Sequence, residues 1–209
     1  MVDFTLYLIT DRMQTAGRGL PAVVAASLRG GLRAVQLREK DLTAGQLFEH
    51  AVELRQLTRD YGAKLLINDR IDVALAVDAD GVHLGKAGLP VLEARRILGG
   101  ERLIGYSAHS EVEALQAQHD GADFITFGPV YHTPSKAQYG QPLGLGALAG
   151  AARVVSIPVF ALGGVKHATV AEVMSAGAHG IAMISAIMAA LDPTIETESL
   201  LRTIACHVA

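Results

Sequence analysis

Eight short β-rich runs recur along the chain, at Thr5–Ile9, Ala34–Leu37, Lys64–Ile67, Gly81–Leu84, Leu103–Gly105, Phe124–Phe127, Pro158–Ala161 and Gly180–Met183. Amphipathic or alanine-rich stretches of helical length separate them. Near-continuous apolar strands joined through helices build a parallel sheet covered on both faces. Eight such units at roughly even spacing predict a closed (β/α)8 TIM barrel rather than an open doubly wound sheet. With 209 residues, 50% of them hydrophobic, the chain can bury one sizeable core, short for a barrel but sufficient. No linker, charge block or low-complexity segment interrupts the pattern, so residues 1–209 are expected to form a single barrel domain.

A formal net charge of -3 provides no general attraction for nucleic acid or an anionic membrane. Any phosphate chemistry must come from a local basic cluster. The one cysteine, Cys206, excludes an internal disulfide and a cysteine-based zinc site, fits a reducing cytoplasm, and is expected to be a buried helix residue. The N-terminus lacks a basic-then-apolar signal pattern, and the apolar run Gly180–Leu191 is too short to span a bilayer. A soluble, cytoplasmic protein is expected. Apolar helix faces leave room for a homo-oligomer.

The active site of such a barrel lies at the C-terminal ends of its strands, and polar residues collect there. Thr10, Asp11 and Arg12 follow the first run; Gln36, Arg38 and Lys40 occupy alternate positions at the end of the second, which places them on one face. Asn68, Asp69 and Arg70 end the third, His83 and Lys86 flank the end of the fourth, and Ser107 and His109 end the fifth. The sixth leads into a long connection, Gly128–Leu143, that carries Thr133, Ser135 and Lys136, and long loops in compact domains are often functional.

Gly163-Gly164 after the seventh run and Ile184-Ser185 after the eighth offer backbone N–H groups for an anion, at the recurrent phosphate position of barrel enzymes. Tight-turn glycines with no ligand are the alternative. Arg38, Lys40 and Lys136 make a separate cationic group across the mouth. Two anion sites facing each other suggest two phosphorylated small-molecule substrates.

In series, YLITDR, QLREK, IND, DGVHLG, SAH, GADFITFGPVYHTPSK, PVFALGG and AGAHGIAMISAI cover essentially the whole chain. In order and spacing they resemble the thiamine phosphate synthase family, related to thiazole tautomerase. That resemblance implies condensation of hydroxymethylpyrimidine diphosphate with hydroxyethylthiazole phosphate, releasing pyrophosphate by a dissociative route. It implies that Gln36 hydrogen-bonds the pyrimidine, and that Arg38, Lys40, Asn68, Ser107 and Lys136 hold the diphosphate. Arg38, Lys40, Ser107 and Lys136 become the catalytic set, and Asp69 the ligand of a magnesium cofactor. Thr133 and Ser135, with backbone N–H groups near Gly164, Ile184 and Ser185, would meet the thiazole phosphate. The family commonly has threonine at 135, and serine keeps the hydroxyl.

One departure stands out. After GVHLG the family usually continues with glutamine, a variable residue and an aspartate that supplies a second magnesium ligand, whereas this chain has Lys86, Ala87 and Gly88. Magnesium held by Asp69, waters and the diphosphate, compensation by the Lys86 ammonium, and loss of synthase activity are the competing consequences. A tautomerase-like enzyme is the runner-up, but Pro129 stands where that family has its catalytic histidine, and His132 is expected to be a neutral loop residue or a lid contact. A noncatalytic sensor of thiamine precursors is a third alternative. His83 and His109 are expected to hydrogen-bond backbone at strand ends, and Asp78 and Asp80 to lie at the opposite end of the barrel.

Overall fold

The computed structural model describes residues 2–133 and 141–207. Eight parallel strands close into a barrel in sequential order: β1 (Leu6–Ile9), β2 (Ala34–Leu37), β3 (Lys64–Asn68), β4 (Gly81–Leu84), β5 (Leu103–Ala108), β6 (Phe124–Phe127), β7 (Val159–Leu162) and β8 (Gly180–Met183). β1 pairs with β8 through Tyr7 opposite Ala182, which closes the ring. The expected (β/α)8 barrel is therefore the observed fold, and strand ends fall within one residue of expectation except that β5 runs on to Ala108. The connecting helices are α1 (Leu20–Arg29), α2 (Ala44–Asp60), α3 (Ile71–Ala76), α4 (Val91–Leu98), α5 (Glu111–His119), α6 (Gly144–Val154), α7 (Val170–Ser175), α8 (Ser185–Met188) and α9 (Pro193–Ala205).

Local chemistry sets several helix starts. Thr43 and Gln46 form a reciprocal capping box on α2, Ser110 accepts from Glu113 N–H at α5, and Asp192 caps α9 with Pro193 in its first turn. Cys206 is exposed at the C-terminal cap of α9, not buried as expected: the helix stops one residue before it. No helix among the described residues is long and apolar enough to cross a membrane.

Two apolar layers result from strand alternation. Outward-facing residues such as Leu8, Val35, Leu37, Leu65, Ile67, Val82 and Ile125 pack under the helices. Inward-facing Tyr7, Ile9, Ala34, Leu66, Phe124, Phe160 and Ala182, joined by Phe4, fill the barrel. Phe4 and Phe124 meet edge to face at 5.7 Å, and Phe124 meets Phe160 the same way at 5.5 Å, a favoured aromatic geometry. This plug is the floor on which the polar upper layer rests. Gly105 makes room for it: a Cβ there would lie 2.4 Å from both His83 Nδ1 and Phe124 Cζ.

At the opposite end, Asp80 binds Arg55, Lys64 and the N–H of Leu65, while Asp78 binds Arg59 and Arg102. Both aspartates are thus structural and remote from the strand C-termini, as expected.

Candidate active site

Above the aromatic plug the inward-facing residues become polar and form one connected chain. The Gln36 amide nitrogen donates to the Tyr7 hydroxyl at 3.1 Å, which leaves the Gln36 carbonyl oxygen as an acceptor. The Tyr7 hydroxyl meets His83 Nδ1 at 3.4 Å, and His83 Nε2 meets Ser107 Oγ at 3.0 Å and Thr126 Oγ1 at 3.3 Å. Burial, reinforced by the positive charge of Arg38, holds the His83 imidazolium pKa down to about 3, so the ring is neutral. Burial also pushes the Tyr7 phenol up, so it stays a donor. With Tyr7 donating to Nδ1, the proton of His83 resides on Nε2 and is directed at Ser107.

Sequence reasoning missed Tyr7 and Thr126 and misjudged His83, which binds side chains inside the barrel and not backbone. The available signal was the register: Tyr7, Gln36, His83 and Thr126 are polar-capable residues at inward positions of otherwise apolar strands. His109 does behave as expected, bonding through Nδ1 to the Gly128 carbonyl at 2.5 Å.

The cations at the mouth fall into two groups. Arg12 is committed to Glu39 and Asp41, and that contact holds the Asp41 carboxyl down to about 2. Arg70 is committed to Asp72. Among the described residues, no carboxylate pairs with Arg38, Lys40 or Lys86. Arg38 is half-buried and close enough to act electrostatically on His83, whereas Lys40 and Lys86 are exposed. An unpaired, partly desolvated guanidinium over a neutral floor attracts an anion.

Asp69 stands beside this group. Its backbone is left-handed, with φ at 56°, and its N–H donates to the His83 carbonyl at 3.0 Å. One carboxylate oxygen accepts from Gly85 N–H at 2.9 Å and the other from Asn68 Nδ2 at 2.8 Å. The loop after β4 turns tightly, Gly88 N–H bonding the Gly85 carbonyl at 2.9 Å, and brings Gly88 against Asp69. A Cβ at 88 would lie 2.5 Å from Asp69 Oδ1. Among the described residues, no group of three or more His, Cys, Asp or Glu could hold a metal ion. Asp69 supplies a hard carboxylate, each oxygen with a lone pair to spare. That suits a magnesium ion completed by water and phosphate oxygens, and not a zinc-type cage.

Across the mouth, Gly163 and Gly164 take φ values of 91° and 69°. The turn needs glycine for a close approach: a Cβ at Gly164 would lie 2.7 Å from Tyr131 Cβ and from the His132 carbonyl oxygen. The segment after β6 lies directly on this turn, with Val130 N–H on the Leu162 carbonyl at 2.9 Å and Tyr131 N–H on that of Gly163 at 3.0 Å. The Tyr131 hydroxyl donates to Glu172 on α7 at 2.7 Å. Thr133 is half-buried and His132 exposed. Ile184 is half-buried ahead of α8, and Ser185 is exposed as its first residue. Ser135 and Lys136, expected to bind phosphate groups, lie outside the described residues.

Residues 6–187 match the family model described as thiamine monophosphate synthase. A putative thiamine-phosphate synthase of Geobacter sulfurreducens is 58% identical over 200 residues, covering 96% of this chain and 94% of the relative. The thiamine-phosphate synthase of Chloroflexus aurantiacus is 48% identical, covering 96% and 92%. Among solved structures, the thiamine phosphate pyrophosphorylase from Pyrococcus furiosus superposes with a TM-score of 0.90 at 39% identity, covering 98% of this chain and 97% of its own. A 3-hexulose-6-phosphate synthase, at 17% identity and a TM-score of 0.68, shares the fold alone. With a match to the family model from β1 into α8, and relatives aligned over nearly their full lengths, the chain belongs to the thiamine monophosphate synthase family.

Proposed function

We propose that this chain is a thiamine-phosphate synthase, a transferase that joins a hydroxymethylpyrimidine diphosphate to a thiazole phosphate and releases pyrophosphate. The observation that carries this proposal is the arrangement at the mouth: Arg38 and Lys40 stay unpaired among the described residues while Arg12 and Arg70 are neutralised. An uncompensated cation pair beside a lone carboxylate suits a diphosphate with its divalent cation.

Each residue then has a role set by its hydrogen-bonding direction. The Gln36 carbonyl oxygen, freed by the amide's bond to Tyr7, accepts from the exocyclic amino group of the pyrimidine. In the His83 tautomer that carries its proton on Nε2, Ser107 accepts a hydrogen bond from the ring and has its own hydroxyl hydrogen to donate to the diphosphate. Arg38, Lys40, Asn68 and Lys136 complete the grip on the leaving group. Asp69 would hold magnesium, which when bound neutralises charge gathering on the departing diphosphate. Thr133, Ser135 and the backbone N–H groups at Gly164, Ile184 and Ser185 receive the thiazole phosphate on the other side.

The bond between the pyrimidine methylene carbon and the diphosphate oxygen breaks first, its electron pair leaving with pyrophosphate. The resulting methylene cation is captured by the thiazole nitrogen lone pair, which forms the new C–N bond. No protein nucleophile or proton acceptor is needed. The chain supplies fixed charges and alignment, and preorganised charge of this kind is usually the largest catalytic term. The neutral His83 suits the task, since a second cation in the floor would repel the cationic intermediate.

The test is pyrophosphate release by the purified protein with both substrates and magnesium. One pyrophosphate per thiamine phosphate is expected. Binding of both substrates without product would overturn the proposal in favour of a sensor.

A further inference from the structure

Glu39 lies between the two unpaired cations, yet it serves neither. It is 6% exposed, and its carboxylate accepts four hydrogen bonds from the turn after β1: the Thr10 hydroxyl at 2.7 Å, the Arg12 N–H on both oxygens at 3.1 Å, and the Arg12 guanidinium at 3.2 Å. Arg12 in turn is held by Asp41 at 2.6 Å. Thr10, fully buried, bonds on both sides of Arg38. Its hydroxyl accepts from the Arg38 N–H at 2.9 Å while donating to Glu39, and its own N–H donates to the Gln36 carbonyl at 2.9 Å.

Two consequences follow from this geometry. The backbone that carries Arg38 is fixed from Gln36 to Glu39 by one threonine, so the starting direction of the Arg38 side chain is set. The Glu39 charge is also consumed by Arg12. A carboxylate one peptide away from both Arg38 and Lys40 is the most available internal competitor for a bound anion, and here it is turned away and neutralised. We propose that Thr10, Arg12 and Glu39 form a brace that positions the Arg38–Lys40 clamp and keeps Glu39 from occupying it, making Glu39 a positioning residue for diphosphate binding. The proposal rests on the synthase assignment above.

The test uses inorganic pyrophosphate with magnesium as a calorimetric probe, together with steady-state kinetics for each substrate. Thr10→Val keeps the shape and removes the hydroxyl; Thr10→Ser restores it; Arg12→Gln releases Glu39 from the solvent side without touching the buried threonine. Thr10→Val and Arg12→Gln should each weaken pyrophosphate binding by about tenfold to a hundredfold, the range for a lost buried or charge-assisted hydrogen bond. The KM for the pyrimidine diphosphate should rise in parallel, that for the thiazole phosphate should stay within about twofold, and Thr10→Ser should recover wild-type pyrophosphate affinity. Arg12→Gln also carries the test if Thr10→Val fails to fold. Wild-type pyrophosphate affinity in a folded variant, or equal loss for both substrates, would overturn the brace while leaving the synthase assignment standing. A wild-type protein that does not bind pyrophosphate would overturn the brace, and only the absence of turnover with both substrates would overturn the synthase assignment.

Discussion

Gly88→Asp places a carboxylate where the family usually has one, and the structure argues that it will not act as a simple restoration. The new Cβ would lie 2.5 Å from Asp69 Oδ1, a distance real Cβ contacts essentially never show. Asp69 must retreat by about half an ångström to escape the clash and by about 1 Å to regain ordinary contact. That movement pulls Oδ1 off the Gly85 N–H, a charge-assisted bond whose loss costs about 2 kcal/mol, or roughly 4–8 °C of Tm in a chain of this size. It also brings two carboxylates together before any metal arrives. Displacement of a ligand by about 1 Å costs on the order of 10²-fold in turnover. A magnesium titration of pyrophosphate release, paired with thermal unfolding with and without magnesium, should show Gly88→Asp with a lower Tm in the absence of metal and turnover reduced by roughly that factor. Gly88→Ala should show most of this Tm loss, because it shares the Cβ clash and lacks only the repulsion between the two carboxylates. Wild-type stability with tighter magnesium binding in Gly88→Asp would refute this reasoning and mean that the turn from Gly85 to Gly88 opens freely.

Arg38→Met should lower turnover by about 10²–10³ with little change in Tm, the scale for a preorganised charge-stabilising group; activity near wild type would remove Arg38 from the catalytic set. Gly164→Val should perturb the segment after β6 as well as the phosphate turn, because its side chain meets Tyr131 and His132, so chymotryptic cleavage at Tyr131 should accelerate along with the rise in KM for the thiazole phosphate. His83 has a folded pKa of about 3, below its ordinary value near 6.5, so the unfolded chain binds the extra proton between those pH values. Its contribution to stability is therefore full above pH 6.5 and falls as pH drops, by up to about 1.4 kcal/mol per pH unit. Urea unfolding of wild type and His83→Gln at pH 6.5 and 4.5 should show the smaller pH loss in the variant, and equal losses would mean His83 titrates normally when folded.

The barrel was legible because its determinants are local. Runs such as Gly180–Met183 are apolar on both faces, bounded by turns, and recur at helix-spaced intervals, and the observed strands fall on them almost residue for residue. Glu39 shows the limit. In QLREK it reads as one more charged residue beside Arg38 and Lys40, and nothing local says that its carboxylate turns under the β1 loop to meet Thr10 and Arg12. Cys206 shows it at smaller scale, since one residue at a helix end decides between burial and exposure.

By itself the sequence determined the strand and helix alternation, hence the closed parallel barrel, and the set of polar residues gathered at one end of it. Periodicity and strand polarity need no long-range information. Only the tertiary structure decided which of those residues are spent on each other. Arg12 and Arg70 are neutralised while Arg38 and Lys40 are left open; His83 is neutral because the closed barrel buries it and Arg38 sits nearby; and a side chain at Gly88 would meet Asp69. Each depends on a partner from another strand or loop, and pairing, desolvation and steric contact exist only once the barrel has closed.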